Sequence, residues 1–92
     1  MNLDEMRRQI DSTDSDIIKL LSRRAEPVSA AGKLKKDEQS VRDPKREEQV
    51  IEKVKAKASA AGPDPAIAGK VYRTIIDCFI NQELREVQKK SP

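Results

Sequence analysis

LDEMRRQIDSTDSDIIKLLSRRAEPVSAAGKLKK, residues 3–36, reads as one long helix whose apolar stripe is interrupted by cations. Ile10, Asp14, Ile17, Leu21, Arg24, Val28, Ala31 and Lys35 follow one another in steps of three and four, so they share one helix face. Arg24 and Lys35 stand on that face where a plain bundle would carry Leu or Ala. Arg7 lies one step before Ile10 on its adjoining edge. Three cations aimed at a partner helix need anionic company, because an unpaired buried charge is strongly unfavourable. Snorkelling, with buried stems and wetted tips, is the alternative for Arg24 and Lys35.

Outward from this stretch the chain stays helical. Asp4 and Glu5 suit the positive end of a helix that starts near Asn2 and Leu3. Pro27 lacks an N–H and crowds the preceding turn. The stripe nevertheless resumes at Val28, Ala31 and Lys35, which predicts a kink and not a stop. At 1.5 Å per residue the helix measures roughly 50 Å. That is too long for one compact three-helix unit, so its ends are expected to project into a second subunit.

Residues 36–42 are polar and read as a loop. Asp43-Pro44 opens a second helix, with Asp as N-cap and Pro in the first turn. Val50, Ile51, Val54, Ala58 and Ala61 form its apolar side, and Gly62 ends it. Asp64-Pro65 repeats the device and opens a third helix through Ile67, Val71, Ile75, Ile76, Phe79, Ile80 and Val87, fading near Lys90. With no strand candidate, the expected fold is all-α: three helices, long, short and long, in a single domain spanning residues 1–92.

Composition narrows the function. Of 92 residues, 38% are charged, 36% apolar and only 2% aromatic. So lean a core suits amphipathic helices and favours help from a second chain. The 19 Lys and Arg against 16 Asp and Glu leave a net charge of +3, with both signs interspersed and no clustered basic face, so nucleic acid is not an expected partner. Cys78 is the single cysteine and there is no His, so transition-metal clusters and a His-activated nucleophile are both excluded. No apolar run reaches membrane-spanning length, and no basic-then-apolar leader precedes the first helix. A cytoplasmic protein is expected.

The inner faces offer four cations, Arg7, Arg24, Lys35 and Arg46, with Asp43, Glu47, Glu83 and Gln82 beside them. Glu47 is in step with Val50, Val54 and Ala61, although an acid there also suits its own helix dipole. Glu83 continues the line of Tyr72, Ile76, Phe79 and Ile80; Gln82 continues that of Val71, Ile75 and Cys78. Such a set can bind an anion and stabilise charge developing in a reaction, with neither cofactor nor metal. A unimolecular rearrangement needs nothing more.

Several segments, in order and spacing, resemble the all-helical (AroQ-type) chorismate mutases. They are Met6-Arg7-Arg8-Gln9-Ile10-Asp11, Ile17-Ile18-Lys19-Leu20-Leu21, Arg23-Arg24, Gly32-Lys33-Leu34-Lys35, Val41-Arg42-Asp43-Pro44-Lys45-Arg46-Glu47 and Ile75-Ile76. The resemblance implies a Claisen rearrangement of chorismate to prephenate, on the way to phenylalanine and tyrosine, without cofactor. It also implies a homodimer with intertwined first helices and sites shared between subunits. By the same resemblance, Arg7 of one subunit and Arg24 of the other grip the carboxylates of the substrate. Lys35 donates to the ether oxygen, Asp43 and Glu47 match positions near the substrate hydroxyl, and Arg46 supports the carboxylate region. Lys35, Glu83 and Arg24 are thus the candidate catalytic residues.

Three residues depart from the family pattern. Glu83 falls where a Gln often faces the ether oxygen, with Gln82 one place early; a Glu donates there only when protonated. Phe79 occupies a place that often holds a small polar residue touching a carboxylate. Pro27 interrupts the usual first helix. Isochorismate pyruvate lyase and aminodeoxychorismate mutase, on the same fold, are the alternative activities. A non-catalytic helical dimer is the alternative of another class; it predicts cations fully paired within the protein and no cavity.

Overall fold

Capping residues set the three helices of the computed structural model, which describes residues 1–89. The expected fading of the third helix near Lys90 lies outside the described residues. Helix α1 spans Leu3–Leu34, α2 Pro44–Ala61 and α3 Pro65–Gln88. Asn2 Oδ1 accepts the Glu5 N–H at 2.8 Å, Asp43 Oδ1 that of Arg46 at 3.0 Å, and Asp64 Oδ1 that of Ala66 at 2.9 Å. Each bond satisfies a backbone donor that the first helical turn leaves open. Gly62 closes α2 at φ 106° while its N–H bonds Ala58 O at 2.9 Å, a conformation that favours glycine. The described residues contain no strand.

α1 runs unbroken through Pro27. It ends sooner than the stripe suggests, at Leu34, with Lys35 already extended at φ −78°, ψ 140°. Gly32 explains the tight finish. A Cβ placed there would stand 3.0 Å from Glu86 Cβ and 3.3 Å from Glu83 Cα, so the missing side chain lets α1 lie directly on α3. The segment expected as a plain loop holds a 3-10 turn over Glu38–Ser40, capped by Asp37. That turn delivers Val41 into the core.

The core is small: Val41, Ile51, Ile76, Ile80 and Val87, backed by Val50, Tyr72 and Leu84. α3 is the central element and packs against α1, α2 and the 3-10 turn. The first twenty residues are all exposed, so the first half of α1 extends from this body and gives an overall length of 57 Å. Leu3, Met6, Ile10 and Ile17 lie uncovered along it. No helix among the described residues is long and apolar enough to cross a membrane.

Candidate active site

The second half of α1, the segment before α2, the start of α2 and the middle of α3 enclose a cavity of about 270 Å³. Seven of the nine candidate site residues line it: Arg24, Lys35, Asp43, Arg46, Glu47, Phe79 and Glu83. Val28, Val41, Val50, Ile76 and Ile80 supply its apolar walls. The helical register that put Arg24 and Val28 on one stripe aims both at this space, and Lys35 reaches it from the extended position just past the helix end.

Arg24 does not lead its tip into water. Its guanidinium stacks over the Phe79 ring, 4.6 Å from the centroid, and Nη1 is buried without a hydrogen-bond partner. A buried guanidinium donor left open is costly, so this atom is set for an acceptor entering the cavity. Phe79, a hydrocarbon where the related pattern has a polar contact, holds that cation by its ring face.

Lys35 takes a different arrangement. As C-cap it turns back, and Nζ donates to Glu83 Oε2 at 2.6 Å and to Val41 O at 3.2 Å. An ammonium and a carboxyl group thus meet at one point of the wall.

Glu47 is 9% exposed and is held from outside the cavity by two arginines. Arg42 Nη2 reaches its Oε1 at 3.0 Å and Nε its Oε2 at 3.5 Å; Arg73 Nη1 lies 3.6 Å from Oε1. Arg42 also bonds Asp77 at 3.1 Å, and Arg73 bonds Glu48 at 2.6 Å. Hydrogen bonding to Glu47, and then its charge, hold the Arg42 guanidinium above its ordinary pKa, with Asp77 adding to the effect.

Asp43 serves the helix and the cavity together, since the carboxylate that caps α2 also lines the wall. Among the described residues, Arg24 and Arg46 form no ion pair. The cavity therefore presents a balanced Lys–Glu pair, a neutralised Glu47, the capping carboxylate of Asp43 and two guanidinium groups outside any ion pair. The open donors of Arg24 and Arg46 are what this wall offers to an anionic group.

A sequence model of chorismate mutase type II matches residues 6–84. The chain belongs to that family. The match spans all three helices and every cavity-lining residue, and it bears out the all-α reading. No curated protein matched the chain. As a chorismate mutase type II domain, the chain carries a fold of isomerase type whose characteristic substrate is chorismate.

Two candidate residues stand apart from the cavity of this mutase domain. Arg7 is exposed on the projecting half of α1. Gln82 faces α1, where its Nε2 donates to Ala25 O at 2.9 Å. Sequence reasoning missed Ser40 and Val41 as lining residues, and Arg42, Arg73 and Asp77 as the holders of Glu47. These pairs join residues from different elements, which helical periodicity cannot register. Among the described residues no group of His, Cys, Asp and Glu is arranged to hold a metal ion.

Proposed function

We propose that this protein is a chorismate mutase that converts chorismate to prephenate, in aromatic amino-acid biosynthesis in the cytoplasm. The reading rests above all on the buried, unpartnered Nη1 of Arg24 at a cavity that also carries Arg46 and the Lys35–Glu83 pair. Chorismate is a dicarboxylate with a ring hydroxyl and an enol ether. Arg24 and Arg46 answer its carboxylates with charge-assisted hydrogen bonds. In the rearrangement the ether C–O bond breaks as a new C–C bond forms between the enolpyruvyl carbon and the ring. Negative charge grows on the ether oxygen, where Lys35, with Glu83 when protonated, donates. Holding the side chain folded over the ring supplies the remaining catalysis by orientation.

Asp43 and Glu47 are the acceptors for the ring hydroxyl in this scheme, and Phe79 steadies Arg24. Gln82 braces α1 against α3. Arg7 of the partner subunit completes the carboxylate site in an intertwined homodimer. A non-catalytic helical dimer would have its cations paired and its interior filled; the cavity and the open Arg24 donor count against it.

The test is loss of chorismate absorbance with purified protein, with the product identified. Prephenate is the expected product, and its absence at saturating chorismate would sink the reading. Pyruvate released from isochorismate, or an amino-substituted product from aminodeoxychorismate, would move the activity to a neighbour on this fold. Arg24→Ala is expected to lower kcat/KM by about 10²–10³-fold, the usual loss when a preorganised donor is removed.

A further inference from the structure

We propose that Arg42 and Arg73 are positioning residues that fix Glu47 as the acceptor for the substrate's ring hydroxyl. This inference rests on the mutase reading, which gives Glu47 a hydroxyl to receive. Glu47 projects from α2, yet neither arginine belongs to that helix: Arg42 precedes it and Arg73 comes from α3. Each arginine is held in turn by a second acid, Arg42 by Asp77 at 3.1 Å and Arg73 by Glu48 at 2.6 Å. The result is a line of alternating charge, Glu48–Arg73–Glu47–Arg42–Asp77, drawn across three segments, with only Glu47 lining the cavity.

This arrangement solves an electrostatic conflict. A carboxylate that accepts from a hydroxyl must stay ionised, yet a bare one would repel a dianionic substrate. Two guanidinium groups behind it cancel that repulsion while leaving its acceptor capacity turned inward. The ring hydroxyl carries the same charge before and during the rearrangement. Its contact with Glu47 is therefore uniform binding, so the arginines should act on KM and leave kcat largely alone. Their side chains are 54% and 41% exposed, so replacing them leaves the core intact.

The experiment is a double-mutant cycle on chorismate turnover with Arg73→Gln, Arg42→Gln and Glu47→Gln. Each arginine variant is expected to raise KM about tenfold, from loss of a charge-assisted contact, with kcat changed less than about threefold. In the Glu47→Gln background the same substitutions should change KM less than about twofold, because their effect is exerted through the missing carboxylate. Arg42→Lys and Arg73→Lys should recover part of the KM, since they return the charge without the planar fork. Equal KM effects in both backgrounds, or a fall in thermal stability with KM unchanged, would overturn the proposal while the mutase reading stands. A wild-type protein that makes no prephenate would remove both.

Discussion

Glu83 carries the sharpest chemical question in the cavity. Its Oε2 lies 2.6 Å from Lys35 Nζ, so whatever approaches this wall meets an ammonium and a carboxyl group together. A carboxylate has no proton to give, whereas an amide donates through its N–H. Glu83→Gln places such a donor on this wall and should therefore raise kcat if residue 83 faces the ether oxygen. Comparing kcat on chorismate for the two proteins tests this. An unchanged kcat assigns the ether-oxygen contact to Lys35 alone. At this scale the sequence was legible as far as helical register carries. Arg24, Glu47 and Glu83 are legible because spacing fixes the face on which a helical side chain stands, whereas Lys35 lies past the helix end and reaches the cavity from an extended backbone. The stacking of Arg24 on Phe79 and the Arg73 contact with Glu47 are not legible, since each depends on how two helices meet.

The packing of α1 on α3 is governed by glycine, and the two buried helical glycines make opposite predictions. Gly32 faces the Glu83 backbone and Glu86 Cβ at 3.0–3.4 Å, so an alanine there must push the helices apart. Its gain in helix propensity, about 1 kcal/mol, is outweighed by an overpacking cost of roughly 1–3 kcal/mol. Because Glu83 Cα is one of the atoms displaced, Gly32→Ala should lower both the thermal midpoint and kcat. Gly69 meets Lys55, whose Cε would lie 2.7 Å from the new methyl, and the far end of a long, half-buried side chain can swing away. Gly69→Ala should raise the thermal midpoint and leave turnover unchanged. Thermal melts and chorismate assays on both variants separate the cases. The helices themselves were readable from Asp-Pro starts and the glycine stop, because those signals are local. The end of α1 and the 3-10 turn that seats Val41 were not, because tertiary packing decides them.

A body with so small a core and a 57 Å long axis leaves apolar surface to be covered. Leu3, Met6, Ile10 and Ile17 lie open on α1, and Ile67 and Val71 on α3, apolar surface of the kind that a second chain can cover. Ile10 and Ile17 share their stripe with Arg24 and Lys35, so a second copy seated along it would bring its own α1 toward the cavity. The proposed homodimer uses this geometry to supply Arg7 across a two-fold interface. Sedimentation equilibrium should give twice the 10.3 kDa chain mass, and Ile17→Asp should shift it toward the monomer with loss of activity. Complementation then tests the sharing of sites. Arg7→Ala and Arg24→Ala should each be nearly inactive alone. In a hybrid dimer, one cavity pairs the intact Arg24 of one subunit with the intact Arg7 of the other, while the second cavity lacks both. Random exchange of equal amounts makes half the dimers hybrid, so activity should recover to roughly a quarter of the wild-type value. If Arg7 served its own subunit, every cavity in every mixture would lack one arginine and no activity would return.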